Sequence, residues 1–197
     1  MNIYIVRHSE TNLNKESIYY GKTDCNINKT GISQSKKLQN FFENINIDYI
    51  ISSNLKRAIQ TAEIIRGEKN IKIIKNRNLQ EIDFGNWENK NIEDIIKNDK
   101  ENYDKLLSDW INFKFPNGES YNDFYIRIEN TFKYIKNNFN NSNILIISHN
   151  GVLRCLLCIA LQIDKKNFWR FNFEQGTYTL LNIVDNYSIL KKYNCIT

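Results

Sequence analysis

Proline and glycine are scarce in this chain of 197 residues, and long apolar runs are absent. One proline and seven glycines leave few forced turns, so each of them marks a candidate boundary between compact elements. The longest uncharged apolar stretches, such as 144–147 and 155–161, fall far short of the roughly 20 residues that span a bilayer. The apolar segment before Arg7 is too short for the core of a secretion signal. We therefore expect a cytoplasmic protein that does not bind a membrane.

A strong excess of one charge is also absent. Lysine and arginine total 27 against 22 aspartates and glutamates, for a net charge of +5. The basic residues are scattered rather than clustered, which argues against a nucleic-acid partner and is compatible with small anionic ligands. With 41% hydrophobic and 13% aromatic residues, the chain can bury a substantial core. We expect one domain over residues 1–197.

The four cysteines do not indicate disulfides or a metal centre. Without a secretion signal they are expected to be reduced. Cys155 and Cys158 form a C-x-x-C pair inside an apolar segment with helical spacing, which favours core packing over redox or metal chemistry. Two histidines, with no H-E-x-x-H and no second C-x-x-C, leave too few ligands for zinc. We therefore expect neither a metal nor another cofactor.

Short β-branched runs alternate with helical patterns along the chain. The predicted buried strands are Asn2–Val6, Asp48–Ser52, Ile71–Ile74 and Asn143–Ser148. Helical patterns follow a Thr30 cap and the pair Ser52–Ser53, and residues 178–184 and 188–193 look like a hairpin around 185–187. Residues 85–118 are polar and helix-prone, typical of an insertion or lid. The pattern predicts a three-layer α/β/α fold with a mostly parallel mixed central sheet.

Both histidines stand at the carboxyl ends of apolar strands. His8 ends IYIVRH and His149 ends ILIISH, while Arg57 lies shortly after the strand YIISS. Ligands of open α/β sheets bind beyond the carboxyl ends of the strands, so these side chains are expected to share one edge with Arg7. Such a cluster is typical of a site for a doubly charged oxyanion, most simply phosphate.

The same residues belong to a series of motifs that resembles the histidine phosphatase superfamily, the phosphoglycerate mutase-like group. The first matching blocks are Arg7-His8-Ser9-Glu10-Thr11 with Asn14, Gly21, Asp24, Thr30-Gly31 and Gln34, and Ser52-Ser53-x-Leu55-x-Arg57-Ala58-x-Gln60-Thr61-Ala62. The later blocks are Leu79-x-Glu81-x-x-Phe84-Gly85-x-Trp87-Glu88, Gly118-Glu119-Ser120 with Arg127, and Ser148-His149-x-Gly151-x-x-Arg154. The resemblance spans nearly the whole chain.

The resemblance implies a phosphoglycerate mutase-like fold and a reaction through phosphohistidine without a metal. His8 is then the nucleophile, and its second ring nitrogen needs a backbone acceptor that fixes the tautomer. Glu81 is the expected acid and base, with Asp83 and Glu88 as alternatives. The residues expected to hold the phosphate are Arg7, Asn14, Arg57 and His149.

Two positions depart from the family pattern. Ser9 stands where glycine is usual, which places a hydroxyl beside the nucleophile that clashes with the phosphate or donates to it. Asn150 replaces a small residue after His149, a mild change because asparagine tolerates left-handed backbone angles. Neither departure removes a chemical group that the reaction needs.

Within the phosphatase branch, the segments around Tyr20-Gly21, 116–127 and Trp169-Arg170-Phe171 look most like α-ribazole phosphatases, which remove the 5′-phosphate from the lower nucleotide of cobalamin. Tyr20, Gly21 and Asn150 are the candidate substrate-binding residues. Trp87, Trp110 and Trp169 are available either for stacking on a base or for packing. The expected partner is a small phosphomonoester.

Other functions stay open at this point. A broad-specificity phosphatase shares most of these blocks, whereas a phosphoglycerate mutase typically has a longer chain and needs a bisphosphate primer. A non-catalytic phosphate-binding or scaffold protein is a third class, and the presence of His8, Arg57, Glu81 and His149 together argues against it. The oligomeric state, monomer or homodimer, is not indicated.

Overall fold

A computed structural model of the chain describes residues 1–185 and 187–197 and contains one six-stranded sheet. The strands are β1 (Asn2–Arg7), β2 (Tyr49–Ser53), β3 (Ile73–Asn76), β4 (Asn143–Ser148), β5 (Thr177–Val184) and β6 (Tyr187–Ile196). Their order across the sheet is β3-β2-β4-β1-β5-β6. The neighbours from β3 to β1 are parallel, and β5 and β6 add antiparallel pairs. The predicted mixed, mostly parallel sheet is confirmed.

Seven α-helices accompany the sheet in the part of the chain that the structure describes. They are α1 (Asn12–Lys15), α2 (Lys29–Glu43), α3 (Lys56–Arg66), α4 (Ile92–Asn98), α5 (Lys100–Ser108), α6 (Tyr121–Asn138) and α7 (Asn150–Ala160). Short 3-10 helices cover Arg77–Leu79, Gly85–Trp87 and Lys165–Arg170. No helix within 1–185 and 187–197 combines the length and apolar character that a bilayer crossing requires.

The helices cover both faces of the sheet. Ile5 and Ile146 pack on one side in a cluster that includes Ile128 of α6 and Val152 of α7. On the other side, a second cluster contains Val6, Leu145 and Ile147 together with side chains of α2 and α3. Alternate residues of a strand point to opposite faces, so a strand buried on both sides reads as a continuous apolar run. The predicted three-layer arrangement is confirmed.

Several element boundaries differ from the sequence-based prediction. Asn28, not Thr30, caps α2, and its side-chain oxygen accepts from the Gly31 amide. Leu55 precedes α3 without any side-chain cap, and its amide donates to Ser53 Oγ at 3.4 Å. β3 begins two residues later than predicted, because Ile71 and Lys72 lie before the ladder with β2. The predicted turn at 185–187 includes Asn186, which lies outside the described residues.

Residues 85–118 are the segment for which the sequence predicts a helical insertion, and their apolar side chains join the main core. The segment contains α4 and α5. Trp87 is completely buried and its indole nitrogen donates to Asp99 at 2.7 Å. Ile95 and Phe113 belong to the same cluster as the strand residues Ile3 and Ile5. The insertion therefore packs on the sheet side that carries α6 and α7.

Candidate functional site

The register of the central strands brings the two histidines together. β1 and β4 are parallel neighbours with Arg7 opposite Ser148, and the His8 amide donates to the Ser148 carbonyl at 2.8 Å. His8 and His149, which directly follow these two strands, therefore lie at the same edge of the sheet. Their ring centroids are 5.1 Å apart. The sequence-based expectation that both imidazoles lie at one sheet edge is confirmed.

His8 is held as a neutral ring with one nitrogen unengaged. Its Nδ1 lies 2.9 Å from the Ser9 carbonyl, an obligatory acceptor, so Nδ1 carries the proton. Nε2 is then the nitrogen with a lone pair, and it has no hydrogen-bond partner among the described residues. Burial, followed by the guanidinium groups of Arg57 and Arg7, holds the pKa of His8 well below its ordinary value. The expected backbone acceptor for His8 is thus present.

Arg57 is completely buried and orients His149. Its Nε donates to His149 Nδ1 at 3.3 Å, and the other guanidinium nitrogens donate to the carbonyls of Thr23 and Gly21, each at 2.7 Å. Since His149 Nδ1 is an acceptor, the proton is on Nε2, which donates to Ser53 Oγ at 2.8 Å. Burial, Arg57 and the neighbouring charges hold the pKa of His149 well below its usual range.

These contacts qualify the predicted phosphate-binding role of His149. Both of its ring nitrogens bond to protein groups, Arg57 and Ser53. For His149 to bind a phosphate oxygen, one of these bonds must be exchanged for the bond to phosphate. The geometry shown makes His149 a neighbour of His8 that fixes the Arg57 guanidinium.

Arg7 and Asn14 present free donors beside His8. Arg7 donates to the Phe173 carbonyl at 3.0 Å, while its buried Nε has no partner within the described residues. Asn14 accepts three bonds at Oδ1, from the backbone and hydroxyl of Thr11 and from Gln175, which leaves its amide N–H groups without a partner in 1–185 and 187–197. Both residues line a cleft of about 270 Å³ together with Tyr20 and Glu81. The cleft has the donors that an anion requires.

Glu81 reaches this cleft because two elements hold it there. Its Oε2 accepts from the Gly151 amide at 2.9 Å, in the first turn of α7, where the helix dipole favours a carboxylate. A Cβ on Gly151 would lie 2.5 Å from Glu81 Oε1, so only glycine allows this approach. Arg127 of α6 is paired with Glu119 and donates to the carbonyls of Asn78 and Gln80, which anchors the segment before Glu81.

The alternative carboxylates are fully engaged elsewhere. Glu88 accepts from the backbone amides of Gly21, Lys22 and Thr23 and thereby closes the loop that holds Arg57. Asp83 pairs with Lys22 and accepts from the Gly85 amide. Glu81 also accepts two backbone amides, but it lines the cleft that contains Arg7 and Asn14, and Asp83 and Glu88 do not. This placement favours Glu81 as the site carboxylate.

The candidate substrate-binding residues have contacts within the protein. The Tyr20 hydroxyl bonds with Thr11 at 3.0 Å, and its ring lies under the Arg57 guanidinium, 4.7 Å from the centroid. Gly21 provides a carbonyl to Arg57, and a Cβ there would lie 1.7 Å from the Ile82 carbonyl oxygen. Asn150 accepts from the Phe173 amide and so holds the loop that binds Arg7. All three residues position the phosphate-site arginines.

Ser9 is accommodated without facing the phosphate cleft. Its hydroxyl lies 2.7 Å from Ser35 Oγ of α2, which in turn donates to the Gly31 carbonyl. The Ser9 amide donates to Thr61 Oγ1 of α3 at 3.0 Å. The predicted clash or bond between Ser9 and phosphate is therefore wrong, because the side chain points into the layer of α2 and α3.

A second, mainly apolar pocket of about 330 Å³ adjoins Glu81 on the insertion side. Trp110 and Trp169 line it, whereas Trp87 does not and serves the core. Arg154 is a positively charged side chain that lines this pocket. Within residues 1–185 and 187–197, no three His, Cys, Asp or Glu side chains are arranged to hold a metal ion.

A sequence model of the histidine phosphatase superfamily (branch 1) matches residues 3–196. The chain belongs to the histidine phosphatase superfamily. It is a phosphatase, a hydrolase of phosphate esters, and its sheet and layers are those of the phosphoglycerate mutase-like fold. The resemblance seen in the motifs is therefore confirmed.

Relatives of this histidine phosphatase cover its full length. It is 30% identical to an adenosylcobalamin/alpha-ribazole phosphatase of Salmonella typhimurium, over 98% of this chain and 96% of the relative. It is 27% identical to phosphoserine phosphatase 1 of Hydrogenobacter thermophilus, over 98% and 91%. The crystal structure of the alpha-ribazole phosphatase from Shigella flexneri superposes with a TM-score of 0.96 at 28% identity, covering 100% of this chain and 98% of the other.

Sequence reasoning missed several residues that orient the site of this phosphatase. Ser53 bonds to His149, Gly151 holds Glu81, and Gln175 fixes the Asn14 amide. Ser53 ends the predicted strand YIISS, which pairs with the strand that leads to His149. Its position at a strand end could have indicated a role in the site. Gln175 lies far away in sequence and no local pattern indicates it.

Proposed function

We propose that this protein is a phosphomonoesterase that acts through a phosphohistidine on His8, with α-ribazole 5′-phosphate as its substrate. The observation that carries the proposal is the neutral His8 ring. Its Nδ1 proton is tied to the Ser9 carbonyl, and the neighbouring Arg7, whose buried Nε has no partner among the described residues, lines the adjoining cleft. A nucleophilic nitrogen beside unsatisfied cationic donors is the arrangement that phosphoryl transfer needs.

In the first step, His8 Nε2 attacks phosphorus and the bond to the leaving oxygen breaks. The Ser9 carbonyl stabilises the positive charge that develops on the ring through the Nδ1 proton. Arg7, Asn14 and Arg57 hold the nonbridging oxygens, whose charge is redistributed in the transition state, and His149 joins them by exchanging its Nε2 bond to Ser53 for one to phosphate. Glu81 enters this step as the carboxylic acid and gives its proton to the departing alkoxide, so the alcohol leaves neutral. The Gly151 amide at the α7 N-terminus then stabilises the carboxylate that remains.

In the second step, water attacks the phosphorus of the phosphohistidine from the side that the alcohol has left. Glu81, now a carboxylate, takes a proton from this water. The P–N bond breaks, His8 returns to its neutral form, and inorganic phosphate is released. The cycle needs no redox partner, and every proton is accounted for by Glu81 and water.

The substrate proposal is supported by the named relatives and by the pocket beside Glu81. Relatives with about 30% identity over their full lengths are named as alpha-ribazole phosphatases. The pocket contains Trp110 and Trp169, which suit an aromatic base. A broad-specificity phosphatase is the alternative in the same class.

The test is phosphate release from α-ribazole 5′-phosphate beside phosphoserine, a phosphoglycerate and p-nitrophenyl phosphate, all in chelator, with H8A as the control. We expect the highest kcat/KM for α-ribazole 5′-phosphate and no turnover by H8A. Equal, weak activity across the panel would contradict the substrate but keep the reaction. Loss of activity in chelator would contradict the metal-free mechanism, and a need for a bisphosphate primer would indicate a mutase.

A further inference from the structure

The pocket beside Glu81 is placed to receive the part of the substrate that leaves. Glu81 lines both this pocket and the cleft that contains Arg7 and Asn14. A phosphomonoester with its phosphate in the cleft and its ester oxygen at Glu81 must extend away from His8. The polar groove on the other side of Glu81 is open and carries charges of both signs, including Lys22 and Asp83. The apolar pocket offers the better enclosure.

Arg154 in the wall of this pocket has one weak hydrogen bond from its side chain. Its Nε is buried without a partner among the described residues, and its one side-chain bond is a long contact of 3.4 Å to Asn172 Oδ1. The guanidinium lies over the rings of Phe168 and Trp169, at 5.3 Å and 5.1 Å from their centroids. An arginine held on aromatic faces with spare donors is ready to bind an acceptor.

We propose that Arg154 is a specificity-determining residue that donates to an oxygen or nitrogen acceptor on an uncharged aromatic leaving group. The proposal rests on the phosphomonoesterase function above and assigns its selectivity to one side chain. Trp169 leaves 61% of its surface exposed, so a flat group that stacks on it buries apolar area. A nucleoside fits this description, because it combines an aromatic base with sugar hydroxyls.

A small charged leaving group fits this pocket poorly. The walls beside Arg154 are mostly apolar, and Trp110 packs edge-to-face against Trp169 with ring centroids 5.8 Å apart. Serine would leave the aromatic surfaces uncovered, even where its carboxylate pairs with the Arg154 guanidinium. A nucleoside covers the rings and satisfies the arginine at the same time.

The experiment compares R154M, which keeps the apolar stem, with R170M as the matched control. Arg170 is exposed on the same 3-10 helix that carries Trp169. Each variant is assayed with α-ribazole 5′-phosphate and with glycerol 3-phosphate, a small aliphatic ester. Calorimetry then measures binding of α-ribazole, the dephosphorylated nucleoside, so that the pocket is tested independently of turnover.

We expect R154M to lower kcat/KM for α-ribazole 5′-phosphate about 10-fold or more through KM, since a hydrogen bond to a charged group is worth roughly that factor. Activity on glycerol 3-phosphate stays within about twofold, α-ribazole binds more weakly, and R170M matches the wild type. Equal losses on both esters, or unchanged nucleoside binding, would overturn the proposal. Nucleoside binding that depends on Arg154 in an enzyme without phosphatase activity would instead refute the proposed function alone.

Discussion

At the residue scale, fixed partners decide the protonation of each histidine. A backbone carbonyl can only accept, so His8 keeps its proton on Nδ1, and a guanidinium can only donate, so His149 keeps its proton on Nε2. Both rings are buried and neutral, and each therefore resists a second proton. The site's chemistry depends on this neutral state, because a protonated His8 has no lone pair with which to attack.

The lowered histidine pKa values predict a loss of stability in mild acid. The unfolded chain gains protons on His8 and His149 near pH 6.5, whereas the folded chain does not, so stability is fully present above that pH and falls below it. We expect the free energy of unfolding to fall by up to about 1.4 kcal/mol per pH unit for each histidine between pH 6.5 and 5. Urea unfolding at several pH values measures this slope. H149Q is expected to show about half of this slope, since one of the two histidines is removed. A free energy of unfolding that does not change with pH would contradict the lowered pKa values of the two histidines.

Replacement of Glu81 is expected to lower kcat more for esters with basic leaving groups than for esters with weakly basic ones. E81Q cannot donate a proton, so we expect kcat for alkyl phosphates to fall about 100-fold to 10,000-fold, with a much smaller effect on p-nitrophenyl phosphate. E93Q, in the exposed first turn of α4, is the control. Unchanged activity of E81Q on both classes of ester would show that another group is the acid.

The chemistry-bearing residues were predictable because their residue types are rare and sit at strand ends. Two histidines in the whole chain made His8 and His149 conspicuous, and motif order indicated Arg57 and Glu81. The direction of side chains was not predictable. Ser9 was expected near the phosphate, but its neighbour Ser35 on α2 offers a hydrogen bond that turns the hydroxyl away.

At the element scale, the N-terminus of α7 connects the strand that leads to His149 with the Glu81 carboxylate. β4 ends at Ser148, His149 caps α7, and the Gly151 amide then binds Glu81. One strand-to-helix junction thus positions a histidine beside His8 and the carboxylate beside the leaving group. The helix dipole adds a favourable interaction with the carboxylate in its first turn.

G151A tests this junction. The added methyl would lie 2.5 Å from Glu81 Oε1, and the flexible carboxylate rather than the helix backbone would move. We expect lower kcat for alkyl phosphates, as for E81Q, while the free energy of unfolding is unchanged or rises by up to about 1 kcal/mol, since alanine is the better helix former. Kinetics and urea unfolding on the same sample check both parts. A stability loss with normal kinetics would contradict the positioning role.

Element types were predictable from periodicity, but their exact ends were not. Apolar runs gave the strands, and the i, i+3, i+4 spacing gave α2, α3 and α6. The start of α2 was misjudged because Asn28 and Thr30 are both good caps, and only the bond to Gly31 selects Asn28. β3 was predicted to begin at Ile71 because three of the four residues at 71–74 are isoleucines, whereas the ladder to β2 sets the true bounds.

At the scale of the whole molecule, we propose that residues 1–197 form one domain that includes the insertion. Trp87, Ile95 and Phe113 of the insertion share a cluster with strand residues such as Ile5. A segment that buries its apolar side chains in the common core cannot unfold without exposing that core.

One cooperative transition is the expected outcome for a single domain. Tryptophan fluorescence reports on the insertion through Trp87 and Trp110, and far-ultraviolet circular dichroism reports on the whole sheet and its helices. We expect the two probes to give the same midpoint in urea. A fluorescence transition at clearly lower urea would show that residues 85–118 form a separate unit.

The central claim is that His8 carries the phosphoryl group during turnover. The most direct measurement is peptide mapping by mass spectrometry of enzyme mixed with p-nitrophenyl phosphate and quenched within one turnover in alkaline denaturant. With this good leaving group, E81Q slows hydrolysis of the intermediate more than its formation, and H8A is the control. The account predicts one phosphoryl group on the peptide that contains His8, and none in H8A. Phosphate release from wild-type enzyme with no labelled peptide, or labelling that persists in H8A, would contradict it.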